Sequence, residues 1–245
     1  MAGHSHSSNI AHRKGIVDAK RGKLFTKLCR AIYVAAKNGD PNPDSNIRLR
    51  YAVDKAKSYS CPKENIERSI KKGAGETGGE NFEEVLYEGY GPGGVAVMCS
   101  ALTDNRNRTA GELRKAFEVS GGNLGATGCV NYLFAFKGLF LIEAKHMAED
   151  RLMEIALEAG ADDLNQAGEY FEVTCDHKVF DAVKKALEDA KVPVESADTT
   201  YIPATWVDLD ADHARRMTKL RDFLDENDDI QSVYANDNIP ETVTA

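Results

Sequence analysis

Apolar residues in the first third of the chain recur every three to four positions, which is the period of an α-helix. Residues 20–37 show this most clearly, and Asn38-Gly39 ends the pattern, as glycine commonly does at helix C-termini. Periodic segments follow at 41–58, with Asn42 as the predicted cap, and at 61–73, with Pro62 early. The pattern therefore predicts three helices joined by short loops.

Beyond residue 81 the pattern changes to strands that alternate with helices. The glycine-rich residues 73–81 mark the first predicted domain boundary. Predicted strands lie at 82–90, 94–102, 129–136, 138–144, 169–175 and 230–235, with an extended stretch at 192–209. Predicted helices lie at 108–120, 148–159, 176–191 and 211–227. Such alternation predicts two small α/β units with antiparallel sheets.

Positive charge is concentrated at the N-terminal end of an acidic chain. The 245 residues have a formal net charge of −8. Residues 1–72 hold 16 basic and 6 acidic residues, a net charge of +10, whereas the remainder holds 15 and 33, a net −18. Between His12 and Arg30 the chain carries seven Lys or Arg and one acid, Asp18. This asymmetry favours a polyanion partner for the basic part; the alternative is a solvated basic face without a partner.

Several function classes are disfavoured by what the sequence lacks. No apolar run is long enough to span a bilayer, and the start has no apolar signal segment. The five cysteines are far apart, which indicates reduced, mostly buried thiols in a cytosolic protein. No catalytic elbow, P-loop or zinc motif is present. We predict a cytoplasmic, non-enzymatic protein without cofactor, metal, membrane partner or small-molecule substrate.

Two short segments match the letters of ligand-binding motifs, but their neighbouring residues do not fit those motifs. Residues 73–78 match G-x-G-x-x-G, but they follow a predicted helix instead of a strand. The acids at 208, 210 and 212 open like a calcium loop, yet His213 replaces the required glycine and Lys219 the bidentate glutamate. Neither string predicts a binding site.

The polar segment "TDNRNRT" (103–109) allows two interpretations. Asn107 or Asp104 would cap the helix that follows, which is a structural role. Alternatively, Arg106 and Arg108 would contact phosphates or bases. The sequence leaves both open.

The chain resembles the YebC family in several specific stretches. They are "MAGHS" (1–5), "NIAHRKGIVDAKRGKLFTKL" (9–28), "YEGYGPGGVA" (87–96), "LTDNRNRT" (102–109), "GGNLGATGCVNYLF" (121–134) and "IQSVYAND" (230–237). The resemblance covers nearly the whole chain. It departs at His6-Ser7-Ser8, where the family usually has Lys-Trp-Ala, so one cation and one aromatic ring are missing.

This resemblance implies an α+β fold, in which an N-terminal three-helix domain is followed by two small α/β domains with antiparallel sheets, one inserted in the other. The corresponding domains are 1–75, then 80–136 plus 205–240, with 138–204 as the insert. It also implies a cytoplasmic, non-enzymatic protein. Bacterial members are labelled DNA-binding transcriptional regulators, and related members act in translation, including a mitochondrial activator and bacterial factors that help ribosomes through proline-rich stretches.

Three function classes follow from these observations. The first is an RNA- or ribosome-binding translation factor, which the Lys-rich face and the absence of a clear recognition helix favour. The second is a sequence-specific DNA-binding transcriptional regulator, and the third is a protein adaptor or small-molecule-sensing module, which rests on fold analogy. The predicted nucleic-acid-binding residues are His12, Arg13, Lys14, Lys20, Arg21, Lys23, Lys27, Arg30, Arg106 and Arg108.

Two glycine-rich loops, 89–94 and 121–128, complete the set of candidate features. Ordinary turn chemistry explains them, and the alternative is that their slender backbone permits close approach to a partner. We also expect that Lys23, Lys27 and Arg30, opposite the apolar side of their helix, are replaceable without loss of the fold.

Overall fold

The computed structural model describes residues 21–75 and 81–239. These residues contain seven α-helices and antiparallel sheets, and a helical region precedes the strands. The predicted α+β class is therefore confirmed. Two compact units are present, one with residues 21–130 and 215–233 among those described, the other with 131–214 and 234–239.

The helical region of the first unit buries one side of each of three helices. These are α1 (Arg21–Lys37), α2 (Ile47–Ser58) and α3 (Lys63–Gly73). Their shared core contains Leu28, Ile32, Ala35, Leu49, Val53, Ala56 and Ile66. The apolar side of α1 that the period predicts is therefore the side that the structure buries.

The cap of α2 differs from the prediction. Asn46, and not Asn42, accepts from the backbone N of Leu49 at 3.0 Å. The Asn46 amide also donates to the carbonyl oxygen of Ala35 at 2.9 Å, which ties the start of α2 to α1. Asn42 instead accepts from the backbone N of Asp44 in the preceding turn. Both asparagines suit a cap, and the contact with α1 decides between them.

The first sheet has the strand order β3-β1-β2-β9. Its strands and helices are β1 (Glu83–Tyr90), β2 (Ala96–Thr103), α4 (Arg106–Ser120), β3 (Asn123–Leu124), α7 (Ala211–Glu226) and β9 (Ile230–Ala235). β1 pairs antiparallel with both β2 and β3. Because β9 comes from near the end of the chain, the second sheet is an insertion in the sequence of the first.

The second sheet has the strand order β5-β6-β4-β7 and antiparallel pairing throughout. Its elements are β4 (Phe134–Glu143), α5 (Glu149–Glu158), β5 (Ala161–Ala167), β6 (Tyr170–Asp176), α6 (Phe180–Asp189) and β7 (Val194–Pro203). Its core includes Phe140, Leu152, Val173 and Val183. Two short strands, β8 (Val207–Asp208) and β10 (Asp237–Asn238), pair in parallel.

A single strand occupies the place where the sequence predicts two. β4 runs without interruption through Lys137-Gly138, so the predicted break there is wrong. Residues 131–133 form a short 3-10 turn instead of the start of a strand. A Cβ on Gly138 would lie 2.6 Å from Cys175 Sγ and 2.7 Å from Phe180 Cδ2. Glycine therefore marks a close approach inside the sheet instead of a turn.

Replacing Gly138 with alanine is expected to destabilise the protein by about 1–3 kcal/mol, because the added methyl group overpacks this contact. The matched control is Gly111→Ala in α4, where nothing lies within 4 Å of the added Cβ. That change should raise stability by up to about 1 kcal/mol through helix propensity. Urea unfolding measures the free energy of unfolding of both variants. Equal values would contradict the close approach as the reason for glycine at position 138.

Two further differences come from local chemistry. The sequence pattern gives no signal for β5, "ADDLNQA", because four of its seven residues are polar and exposed and alternation is weak. Asp176 accepts from Lys178 N at 2.8 Å, but it caps a 3-10 turn at His177–Val179 that precedes α6.

Across the described residues, no helix is both long and apolar enough for a membrane span.

Candidate nucleic-acid interface

The basic side of α1 contacts the end of α7. Lys23 Nζ donates to the carbonyl oxygen of Glu226 at 3.2 Å, and Lys27 Nζ donates to that of Asp225 at 2.7 Å. These carbonyls lie in the last turn of α7, where the helix dipole attracts cations. Lys27 is half-buried and Lys23 is exposed. Contact of either side chain with nucleic acid stays a prediction.

Arg30 is a structural residue. Its Nη1 donates to Asp229 Oδ1 at 2.9 Å, to the Asp228 carbonyl at 2.7 Å and to the Leu102 carbonyl at 3.0 Å. The guanidinium also lies 4.6 Å from the ring centroid of Phe82, and its side chain is 15% exposed. Contrary to the expectation from periodicity, these contacts predict that replacing Arg30 destabilises the fold, because three acceptors would lose their donor.

Asp229 is the centre of a buried polar cluster. Its carboxylate accepts from the hydroxyls of Thr109 at 2.6 Å and Thr103 at 3.0 Å, and from Arg108 Nη2 at 2.8 Å. Burial raises the pKa of Asp229, but hydrogen bonds from Thr109 and three further donors outweigh burial and hold the pKa below its ordinary value. Asp229 is 4% exposed. It directly precedes β9, so its hydrogen bonds join the segment 103–109 to the start of that strand.

The structural interpretation of the segment 103–109 holds, with a different cap. Asn105 accepts from the backbone N of Arg108 at 3.1 Å, so neither Asn107 nor Asp104 caps α4. Asp104 pairs with Arg108 at 2.8 Å. Hydrogen bonds to Asp229, and then to Asp104, raise the pKa of the Arg108 guanidinium. A contact between Arg108 and a phosphate stays a prediction, and it would compete with two carboxylates.

Arg106 is the more accessible of the two predicted arginines of this segment. Its side chain is 64% exposed and lies 3.7 Å from Glu83. The hydroxyl of Tyr87 donates to its carbonyl oxygen at 3.0 Å, which fixes the backbone but leaves the guanidinium at the surface. An exposed pair of this kind contributes little stability, so Arg106 could exchange Glu83 for a phosphate at small cost.

Glu88 organises the glycine-rich loop 121–130. This glutamate is 1% exposed and accepts from the backbone N of Gly128 at 2.7 Å and of Val130 at 2.9 Å. Gly121 adopts φ 86 as the C-cap of α4, and a Cβ on Gly122 would lie 2.3 Å from the Tyr90 carbonyl oxygen. Turn chemistry accounts for these glycines, and contact of this loop with a partner stays a prediction.

Among the described residues of the three-helix region, most exposed cations lie on α2 and α3, which are not among the binding residues predicted from the sequence. Residues 48–72 carry eight Lys or Arg and three acids. The exposed cations of these helices are Arg48, Arg50, Lys55, Lys57, Lys63, Arg68 and Lys71. Two apolar side chains are exposed beside them on α2, Ile47 at 60% and Tyr51 at 37%. Cations interleaved with an exposed aromatic ring suit both phosphates and bases.

Part of the predicted binding set lies outside the described residues. This is true of His12, Arg13, Lys14 and Lys20, and of the side chain of Arg21. Residues 76–80 of the predicted linker also lie outside. Their roles stay predictions.

The described His, Cys, Asp and Glu side chains form no metal site. No group of three or more His, Cys, Asp or Glu side chains within 21–75 and 81–239 is placed to hold a metal ion. His146 and His213 each lie 2.7–2.8 Å from a neighbouring carboxylate on the surface. Burial raises the pKa of Cys99 to about 12 and that of Cys175 to about 11, which suppresses thiolate formation.

Comparisons with known proteins cover nearly the whole chain. Residues 5–76 match the model of the TACO1/YebC protein N-terminal domain, and residues 82–237 match that of the TACO1/YebC second and third domain. A probable transcriptional regulatory protein of Geobacter sulfurreducens is 54% identical and covers 96% of this chain and 95% of its own. One of Rhodopirellula baltica with the same name is 53% identical and covers 98% of each.

A solved structure agrees with these relatives. The crystal structure of a conserved hypothetical protein from Aquifex aeolicus is similar, with a TM-score of 0.81 and 52% identity over 92% of this chain and 93% of that chain. The resemblance that the motifs indicate is therefore confirmed, and this chain belongs to the TACO1/YebC family.

Proposed function

We propose that this protein is a non-enzymatic regulator of gene expression in the cytoplasm, which binds nucleic acid through its basic N-terminal region. The observation that carries this proposal is the charge division of +10 for residues 1–72 against −18 for the remainder. Exposed cations on α2 and α3 support it, because Lys and Arg at a surface attract phosphate backbones. A regulatory role agrees with the names of the relatives.

Structured RNA of the ribosome is the polyanion that we favour. Phosphate contact by Lys and Arg supplies affinity without reading sequence, and the exposed cations of the helical region are spread over several helices and not aligned on one recognition helix. The acidic remainder disfavours continuous coating of long DNA. The second candidate is DNA binding in transcription, which the name of the relatives favours.

The test requires the full chain, since α1 depends on residues far along the sequence. Lys27 and Arg30 donate to residues 225–229, so a fragment that ends at residue 75 loses these contacts. Lys27 and Arg30 are equally unsuitable as binding mutants, because a lost fold would mimic lost binding. Exposed cations outside these contacts are better targets.

A variant with Arg50, Arg68 and Lys71 all changed to Glu is expected to bind nucleic acid at least about tenfold more weakly, because three phosphate contacts become repulsive. The matched control changes Lys178, Lys185 and Lys191 to Glu, which alters the net charge equally in the second unit. Fluorescence anisotropy with a labelled RNA hairpin and a DNA duplex of equal length, over a range of potassium chloride concentrations, measures both. Equal loss in the two variants would show that only net charge matters.

In-cell crosslinking then distinguishes RNA from DNA. We expect recovery of ribosomal RNA with the wild-type chain, and loss of those sites in the Arg50, Arg68 and Lys71 variant. Recovery of discrete promoter DNA, without cosedimentation with ribosomes at low salt, would overturn the RNA preference and favour transcription. Recovery of neither nucleic acid would overturn the proposal as a whole.

A further inference from the structure

Four rings form a continuous row at the surface of the second unit. The centroid of Phe136 lies 5.3 Å from that of His177 and 5.0 Å from that of Tyr201, and the Tyr201 centroid lies 5.1 Å from that of Tyr234. We call these four side chains the aromatic row. Phe136 is 41% exposed, and His177 has 44% of its side chain exposed. Nothing in the proposed function uses this row.

The row continues the core face of the second sheet beyond the helices that cover it. Phe136 on β4 is directly opposite Tyr201 on β7, and it shares a strand face with Phe140, since side chains alternate along a strand. Phe140 is fully buried in the core with side chains of α5 and α6. The ten-residue strands β4 and β7 extend past these helices, which leaves the rings half-exposed.

The row borders an edge strand. β7 pairs with β4 on one side, and no other described strand of the sheet order pairs with its outer side. Edge strands commonly carry Lys or an interior Pro that blocks further pairing. β7 has no Lys or Arg, and its Pro203 stands at the last position. Beside the aromatic row, its outer side therefore presents extended backbone to another strand.

The acidic residues around this edge favour a cationic partner. Residues 192–214 carry five acids and no Lys or Arg. The whole segment 131–214 holds 18 acids and 7 Lys or Arg, so it repels polyanions. Aromatic faces beside carboxylates attract Arg and Lys side chains through cation–π contacts and ion pairing.

We propose that β7 and the aromatic row bind an extended, cationic segment of a partner polypeptide, which adds a strand to the edge and places Arg or Lys side chains over the rings. Backbone pairing supplies affinity, and the rings and carboxylates supply the preference for positive charge. This inference is independent of nucleic-acid binding, because the residues involved lie outside the basic region.

The probe is a fluorescein-labelled eight-residue peptide that alternates Arg with Val, titrated with the full chain at low salt. Tyr201→Lys should weaken binding at least about tenfold, since it removes a ring and places a like charge on the edge. Tyr201→Phe keeps the ring and should bind within about threefold of wild type. A peptide that alternates Glu with Val should not bind, and N-methylation of every backbone nitrogen should weaken binding, because neither side of the peptide can then donate to β7.

Several outcomes would overturn this inference. Equal binding of the Arg peptide by the Tyr201→Lys variant would show that the row is not the site. Binding of the N-methylated peptide at full affinity would exclude strand addition. Preferential binding of single-stranded RNA, with sensitivity to Tyr201→Lys, would make the row a base-stacking surface. A concentration-dependent dimer that Tyr201→Lys dissociates would identify the occupant as a second copy of this chain. The Tyr201 variants should keep their affinity for the RNA hairpin, which separates this test from that of the proposed function.

Discussion

Asp229→Ala is expected to destabilise the protein by about 3 kcal/mol, because it removes the shared acceptor of two arginines and two buried hydroxyls. The cost of a buried charge without its partner dominates, and the 44% exposure of Arg108 moderates it. For a chain of this length, that loss lowers the thermal midpoint by roughly 6–12 °C. Differential scanning calorimetry at neutral pH measures it.

The effect of Asp229 should depend on pH in a defined direction. Its folded pKa lies below the ordinary value of 3.8, so the charged form favours the folded state. The ionic part of the stabilisation is therefore complete above the unfolded pKa and is lost as the pH falls through the folded pKa. The difference in free energy of unfolding between wild type and Asp229→Asn should therefore decrease as the pH falls below about 5.

Asp228→Ala is the matched control for this cluster. Asp228 is adjacent in sequence and exposed, and it offers Arg30 only its backbone carbonyl, which the substitution retains. Its stability should stay within about 0.5 kcal/mol of wild type. If Asp228→Ala and Asp229→Ala unfold at the same temperature, the cluster does not contribute as described.

Glu88→Ala is expected to cost about 3 kcal/mol and to loosen the loop 121–130. The substitution leaves the buried amide of Val130 and that of Gly128 without their carboxylate acceptor. Hydrogen exchange should then show lost protection at these two amides, while the core of the second sheet keeps its protection. Urea unfolding gives the total loss of stability.

Glu84→Ala, on the same strand, serves as the comparison for Glu88. The side chain of Glu84 is 47% exposed and pairs with Arg48 at the surface, so its removal should cost less than about 1 kcal/mol. Retained protection of the Gly128 and Val130 amides in Glu88→Ala would mean that the loop is held by other contacts.

Much of the fold could be predicted because the local signals and the tertiary structure agree. The period of α1 identifies its buried side, and the glycine at 121 ends α4 where the sequence predicts. The errors arise where a residue has two local roles. The sequence around Gly138 predicts a turn, but this glycine lies within a strand and against Phe180. Asn42 and Asn46 are equally good caps by sequence, and only the contact of Asn46 with α1 distinguishes them.

The site was less predictable than the fold, for a physical reason. Periodicity shows that Lys27 and Arg30 lie opposite the core side of α1, but not whether solvent or protein covers that side. The covering residues, 225–229, lie about 200 positions away, and a single sequence contains no signal for this pairing. The same is true of Arg108, because its partner Asp229 lies about 120 positions away, directly before β9.

The contacts of α1 also determine the order in which parts of the chain can fold during synthesis. The ribosome releases residues 21–37 early, yet the acceptors of Arg30 and Lys27 emerge only with residues 225–229. Likewise, the strand order β3-β1-β2-β9 is incomplete until β9 has left the exit tunnel. Contacts of such sequence separation form slowly and late. A nascent chain therefore exposes its cationic helices before their anchoring is complete, and β9 must be synthesised before the first unit becomes native.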